Sequence, residues 1–518
     1  MVRTYDLSDD SVVVVVGSGA GGGVIANELA QKGIDVVCLE AGRTIRFEEI
    51  ENNAEKMFAK LTWLDPRIGS GDMPRDFPVW SGKGVGGTTL HWTANLVRMQ
   101  AHEFRPLSTY GKLRGTHAID WPITLDDVAP YYDKAEFKVG ATGTNGWPML
   151  PEGNNFMTMK AGAHRVGYRQ VNNGTMAINS VFRDDRPACQ QLGFCKSGCA
   201  VNAKWTTAYS EIPKARATGH FELRPNATVL QVQHDKSGRI SSVLYADAQG
   251  NHHVQKARVV VLAANSIDTP RLLLNSSSSI YPDGMANFSG QVGRNYMHHV
   301  FGFILGIMPG AVNFYRTTQN AGVINDERPF RPERGFAGGY EFEGVSLDPS
   351  ALARFMAPGH WGRDYAADLG AYRNIAGMLI VGEDPADYRN GIILHGKKKD
   401  AHGLPVPVVH YEEHANSKAM RAHAFRQGRA IFDALGARKV YTAPPVAATH
   451  NMGTCRMSAS PRDGVCNKWG QAHDIANLFI SDGSLMVSSG GGNPTLTIIA
   501  LAIREADYLA EKLRRGEL

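Results

Sequence analysis

Cysteine is scarce in this chain, with six in 518 residues, and three of them, Cys38, Cys455 and Cys466, are scattered. A disulfide framework belongs to small secreted domains that cannot build a core, so none is expected here. Long apolar runs are missing as well. The valine run at 12–16 stops at a glycine cluster, far short of the ~20 residues a helix needs to cross a bilayer. A one-sided charge is also absent: 55 Lys and Arg face 50 Asp and Glu, a formal net charge of +5, and the longest basic run is 397–399. Without a basic block there is no footprint for nucleic acid, and no nucleic-acid partner is expected. A signal-peptide pattern is lacking too, because Arg3, Asp6, Asp9 and Asp10 precede the apolar run. The expectation is a cytoplasmic protein, or a periplasmic one if it is exported folded beside a signal-bearing partner.

Glycine, in contrast, is plentiful, with 56 residues. The β-branched run at 11–16 reads as a strand buried on both faces of a parallel sheet. It leads into Gly17-Ser18-Gly19-Ala20-Gly21-Gly22, a helical stretch at 23–32, and a second apolar strand at 35–39 that ends in Glu40. Each part answers a need of dinucleotide binding. Gly17 permits the tight turn, Gly19 lets backbone approach a pyrophosphate, and Gly22 lets helix and strand pack closely. The helix N-terminus offers free N–H groups and its positive dipole end to phosphate. Glu40 is placed to accept hydrogen bonds from a ribose. By itself this unit fits NAD as well as FAD.

Four further segments narrow the choice. They are the glycine-rich loop SGKGVGGTTLHWTAN at 81–95, LRPNATV at 223–229 with RVVVLAANSIDTPRLLL at 258–274, HNMGTCRM at 450–457, and LFISDGSLM at 478–486 followed by GNPTLT at 492–497. Together they resemble the glucose–methanol–choline (GMC) oxidoreductases, and within them the bacterial FAD-dependent glucose and fructose dehydrogenase flavoprotein subunits and the pyranose oxidases. The resemblance covers roughly residues 10–110, 185–300 and 440–515. It implies an α/β, Rossmann-like FAD-binding domain assembled from discontinuous segments (1–120, 185–300 and 440–518). A substrate-binding domain on an antiparallel β-sheet (121–184 and 301–439) would complete the chain.

Carried onto this sequence, the resemblance assigns FAD phosphate and ribose contacts to Gly17, Ser18, Gly19, Gly22 and Glu40. It sets Gly86, Gly87, Thr88 and Asn95 in a loop passing the flavin ring, and Val229 near the adenine. Asp482, Gly483, Asn493, Pro494 and Thr495 would close over the pyrophosphate and ring. His450 takes the place of the catalytic base, a role that suits a side chain titrating near neutrality. Asn493 takes the second active-site position, where an amide donor steadies a developing alkoxide. His298 and His299 read as structural residues beside the cofactor. The Thr-x-His-Trp run resembles pyranose oxidases, whose histidine is bonded to the flavin, and also dehydrogenases that lack the bond, which leaves covalent attachment through His91 open.

Cys189, Cys195 and Cys199 follow C-x5-C-x3-C. The segment is similar to one that holds a [3Fe–4S] cluster in bacterial sugar dehydrogenases, where each thiolate holds one iron. It departs from that pattern at Gln190, and it also resembles cysteine-rich segments of long-chain alcohol oxidases without iron. With a cluster the expected function is oxidation of a sugar or sugar-derivative alcohol. Electrons would pass to an external acceptor, such as a cytochrome or a small accessory subunit. Without one, a pyranose or glycoside oxidase forming hydrogen peroxide comes forward, and a flavin electron-transfer subunit is a third reading. Aromatic residues in the unmatched region (Tyr315, Phe330, Trp361, Tyr365) are candidates for stacking on a sugar.

Overall fold

A computed structural model gives the structure of residues 3–443 and 449–518. Five short strands form one parallel sheet, in the order Leu478–Ile480, Val259–Leu262, Val13–Val16, Val36–Glu40 and Phe221–Pro225. The first four are buried along their whole length, as runs such as VVVV and VVVL demand when helices cover both faces. The helix after the first strand spans Ala20–Gln31, three residues earlier than its glycines suggest. Close packing keeps those glycines inside the first turn. A Cβ on Gly21 would fall 1.7 Å from the Ser481 carbonyl oxygen, and one on Gly22 2.0 Å from that of Gly17.

Three antiparallel or mixed sheets build on this core. A three-stranded antiparallel sheet follows Thr228–His234. A five-stranded mixed sheet carries Arg294–Met297 and Met452–Thr454 side by side. The largest is a six-stranded antiparallel sheet in which Lys439–Ala443, Val300–Ile307, Ile375–Gly382 and Tyr340–Gly344 are neighbours. The expected pairing of a parallel nucleotide-type sheet with antiparallel β-structure is therefore the observed fold class.

Strand alternation in the large sheet governs what reaches the site. In Tyr340–Gly344, Phe342 packs near Gly428 and Tyr340 Oη bonds His423 Nδ1 at 3.0 Å, both on the helix Ala415–Asp433. Glu341 and Glu343 therefore share the opposite face, paired across the strand with Val381 and Leu379. All five residues of this strand are buried. Among the described residues, no helix is long and apolar enough to cross a membrane.

Candidate active site

An open cavity of about 220 Å³ runs along the C-terminal edge of the parallel sheet. Three helices begin on it: Ala20–Gln31, Asn265–Asn275 and Thr495–Arg514. The first and the last have no capping side chain on their first N–H groups, whereas Asn265 Oδ1 accepts from Ile267 N–H at 2.8 Å in the middle one. Two uncapped N-termini facing one concave wall make an electropositive anion site of the kind a pyrophosphate fills. Gly17, Ser18 and Gly19 line it from the first helix, and Pro494 and Thr495 from the last. Asp482 and Gly483 line it between them, and Asp482 also ties the elements together by accepting from Asn265 N–H (2.9 Å) and Thr269 Oγ (2.6 Å).

The end expected to hold the ribose is equally prepared. Glu40 and Val229 line the cavity wall. Glu40 Oε2 accepts from Ser18 N–H at 3.0 Å and Ser18 Oγ–H at 2.7 Å, and Oε1 accepts from Gly42 N–H at 2.9 Å. These bonds fix the carboxyl without exhausting its lone pairs. Burial raises its pKa above the usual carboxylate range. Gly87 and Thr88 line the cavity opposite, and Gly86 adopts a left-handed φ of 102° while its N–H donates to Ser18 Oγ at 2.9 Å. A Cβ on Gly86 would also meet that of Ala208 at 2.9 Å, so only glycine suits the turn.

Five of the proposed cofactor contacts sit behind the wall, outside the cavity lining: Gly22, Gly86, His91, Asn95 and Asn493. Gly22 serves helix–strand packing. His91 is buried and stacks on Trp80, with centroids 4.8 Å apart and planes inclined by 21°, and Trp80 itself lines the cavity. His91 Nε2 has no hydrogen-bond partner, and burial pushes the ring's pKa down to about 3. Taken together, the two uncapped helix ends, the glycine turn and the Glu40 carboxyl on the cavity wall fit an FAD. Trp63 and Trp80, which sequence reading did not single out, join Trp92 of the Thr-x-His-Trp run to give the cavity an aromatic side.

His450 lines the cavity beyond the third helix end, and Asn493 stands behind it. Asn493 Nδ2 lies 3.4 Å from His450 Nε2. On its other edge, His450 Nδ1 lies 2.9 Å from His299 Nδ1. Burial lowers the pKa of His450 to about 4, so the ring is neutral at ordinary pH. The tandem histidines diverge: His298 stacks against Tyr411 at 4.2 Å, away from the base, while His299 turns toward it.

Behind Asn493 lies a polar group of which sequence reading placed only Asn95. The amides of Asn95, Asn320 and Asn493 surround the carboxyl of Glu343, and Asn320 Nδ2 donates to Glu343 Oε2 at 3.1 Å. Glu341 adjoins Glu343, and burial raises both carboxyls above the usual range, favouring their protonated forms. Arg328 bridges Glu341 (Nε to Oε2, 3.8 Å) and Glu103, whose Oε1 accepts from Gly491 N–H at 2.8 Å. The loop at 490–492 that delivers Asn493 is thus anchored from below. A Cβ on Gly492 would lie 2.6 Å from Val97 Cγ1.

The cysteine segment forms a separate grouping. Cys195 opens the single turn Cys195–Ser197, whereas Cys199 lies past it with a left-handed φ of 68°. The three thiols nevertheless stand close enough for each of Cys189 and Cys195 to sense Cys199, and burial pushes Cys195 up to about 12. Lys204 is buried beside them and donates to the carbonyls of Leu90, Trp92 and Cys195 at 2.9, 2.8 and 2.6 Å. Among the described residues, the only His, Cys, Asp and Glu set tight enough to share one metal ion is His102, Glu103 and Glu383. Within that set Glu103 is already engaged by Arg328, which donates to its carboxyl. A three-iron cluster does not require its thiolates to converge on one ion.

The aromatic residues expected to stack on a sugar lie elsewhere; none of the four lines the cavity. Tyr315 stacks on Tyr372 with centroids 5.0 Å apart, Phe330 meets Tyr110 edge-on at 4.9 Å, and Tyr365 Oη donates to the Ala353 carbonyl. Trp361 is 88% exposed. Packing and solvent, not the site, account for them.

A dinucleotide cradle on a parallel sheet, with a neutral histidine and an amide at its far end, defines a redox enzyme that removes hydrogen from a bound substrate. Residues 12–301 and 388–502 match the N- and C-terminal family models of the GMC oxidoreductases, and the chain belongs to that family. It is accordingly an FAD-dependent oxidoreductase acting on CH–OH groups. It is 32% identical to 2-methyl-1,2-propanediol dehydrogenase of Mycolicibacterium austroafricanum, over 98% of this chain and 96% of that one. It is 30% identical to the fructose dehydrogenase large subunit of Gluconobacter japonicus, over 97% and 98%. Paromamine 6'-oxidase of Streptomyces fradiae is 28% identical, over 98% and 93%. Among solved structures the fold matches formate oxidase of Aspergillus oryzae RIB40 with a TM-score of 0.68 at 15% identity, covering 98% of this chain and all of that one.

Proposed function

We propose that the chain oxidises a hydroxyl-bearing carbon of a sugar or sugar derivative, with His450 as general base, and passes the electrons to an external acceptor. The observation that carries this reading is the placement of His450: neutral, at the cavity's end, with Nε2 turned toward the amide of Asn493. FAD, when bound, supplies the two-electron acceptor for the carbinol hydride. His450 Nε2 takes the hydroxyl proton, and the Asn493 amide donates to the oxygen as negative charge develops there. Asn95, Asn320 and the Glu341–Glu343 pair give this end of the site a polar backing suited to a substrate with several hydroxyls.

Two relatives support the sugar reading, the fructose dehydrogenase large subunit and paromamine 6'-oxidase, whereas 2-methyl-1,2-propanediol dehydrogenase is named for a small diol. The gathered thiols of Cys189, Cys195 and Cys199 favour a dehydrogenase over an oxidase. They would hold a [3Fe–4S] cluster, which would supply one-electron transfer to a cytochrome-type partner.

The test is anaerobic flavin bleaching with D-fructose, 2-methyl-1,2-propanediol and paromamine, alongside an iron and acid-labile sulfide assay. Bleaching by a sugar, slowed at least about a hundredfold in His450→Ala with FAD retained, is the expected result. Bleaching by the small diol alone would move the substrate class away from sugars. Rapid hydrogen peroxide formation by iron-free protein would move the acceptor to oxygen.

A further inference from the structure

The ring of His299 is held by three contacts that together specify where its protons lie. Its Nε2 stands 3.2 Å from the Ser489 carbonyl oxygen and 3.1 Å from that of Gly490. Carbonyl oxygens only accept, so Nε2 carries a hydrogen. Burial, and then the neighbouring His450, push the pKa of His299 well below that of a free imidazole, so the ring is neutral and its Nδ1 holds a lone pair. That lone pair faces His450 Nδ1 at 2.9 Å, with the rings nearly perpendicular (84°). A contact of this length between two ring nitrogens needs one proton between them, and only His450 can supply it.

His450 therefore carries its hydrogen on Nδ1, which leaves Nε2, the nitrogen next to Asn493, unprotonated. We infer that His299 is a positioning residue that fixes the catalytic tautomer of His450 and shares the proton His450 gains. This rests on the reading of His450 as the base. The arrangement does with a neutral imidazole and two backbone carbonyls what a carboxylate does in a hydrolase triad. When Nε2 takes the substrate proton, the His450 cation donates its Nδ1–H to His299. The charge then spreads toward Ser489 and Gly490, in the loop that also carries Asn493. Base and amide are thus set by one segment.

The other groups about this dyad leave the proton count unchanged. His298 Nδ1 lies 2.8 Å from the His299 carbonyl, and its ring is held neutral by burial. Tyr411 stacks on His298 and donates to Asp384, and Tyr296 Oη donates to Asn451 Oδ1 at 2.6 Å. Asp384 is itself pushed up to about 7 by burial. No fixed charge in this set touches the His299 ring.

The experiment compares H299Q, H299N, H299L and H450A as FAD-loaded holoenzymes, checked by flavin absorbance, photoreduction and melting temperature. The readout is the rate of flavin reduction by the best substrate of the panel above. Glutamine can accept from His450 Nδ1–H through Oε1 while its amide donates to a carbonyl; asparagine is too short to do both, and leucine does neither. H299L and H299N are expected to lose about 10² in kcat with KM little changed, within the range general base catalysis spans, and H299Q to recover at least tenfold of it. A rate for H299L within twofold of wild type overturns the proposal. So does an H299Q as slow as H299L at equal FAD content and melting temperature, which would leave His299 a packing residue. If H299L failed to retain FAD, the contrast between H299Q and H299N decides by the same criterion. A near-normal H450A would instead remove the base itself, a result distinct from either.

Discussion

Asn493 Nδ2 and His450 Nε2 stand 3.4 Å apart, a gap too long for a strong hydrogen bond and suited to an oxygen that both can address. The amide donates to that oxygen and the ring takes its proton. Asn493→Ala should therefore lower the rate of flavin reduction by about 10² to 10³, the usual loss of one oxyanion donor. It should leave the pH dependence in place, because the titrating group is still His450. A pH profile that shifts with the amide would assign the titration to another group.

That pH dependence follows from burial. His450 titrates near 4 in the folded protein, against about 6.5 for a free imidazole. A base must be unprotonated to work, so activity should hold from neutral pH down to about 5. It should then fall reversibly as pH drops through the folded value. Stopped-flow flavin reduction across pH 4 to 8 checks this, and an acid limb centred near 6.5 would mean that the ring is solvated in the working enzyme.

Glycines in the first turn divide into those the fold needs and one the ligand needs. A Cβ on Gly21 would fall 1.7 Å from a backbone oxygen, whereas one on Gly19 would meet nothing nearer than Gly87 Cα at 3.9 Å. Gly21→Ala should therefore fail to fold or melt far lower. Gly19→Ala should keep its circular dichroism and melting transition as apoprotein and bind FAD at least tenfold more weakly, since only the pyrophosphate needs the missing methyl's space. Titration of apoprotein with FAD separates the two. Unchanged affinity in Gly19→Ala would place the pyrophosphate elsewhere.

The cradle was legible because its demands are local. Gly17, Gly19 and Glu40 lie within one strand–helix–strand unit, and backbone chemistry dictates each of them. His450 and Asn493 could be placed only through family resemblance, since 43 positions separate them and the fold alone brings them together. Glu341 and Glu343 left no signal: their strand lies between the two family-matched segments, and its pattern is an ordinary alternation. What gives them meaning is that their face of the sheet turns toward Asn493. His299 was visible as a residue, but its role was not, because the tautomer it sets depends on carbonyls 190 and 191 positions away.

His91 presents the opposite case, a residue whose motif promises more than its placement delivers. It stacks behind Trp80, and Trp80, not His91, lines the cavity. The expectation is that FAD is held without a covalent bond and is recovered intact in the supernatant after acid precipitation. Flavin remaining with the precipitated chain, mapped by mass spectrometry to a peptide containing His91, would reverse this.

The Glu341–Glu343 pair makes a prediction about stability. Burial favours the protonated carboxyls in the folded protein, whereas both ionise in the unfolded chain above about pH 4.3. Over that range the folded state binds more protons than the unfolded state. Stability therefore falls as pH rises, by about 1.4 kcal/mol per pH unit for each proton so held. Glu341→Gln keeps the shape and the hydrogen-bonding capacity but needs no proton, so it removes this slope. Its melting temperature should exceed that of wild type by a margin that widens between pH 5.5 and pH 8. Glu341→Leu is the contrasting change: it leaves Arg328 Nε, already without a hydrogen-bond partner, facing an apolar side chain, and should destabilise at both pH values. A constant offset between Glu341→Gln and wild type across this range would mean that the pair is fully ionised in the fold, with Arg328 holding its charge.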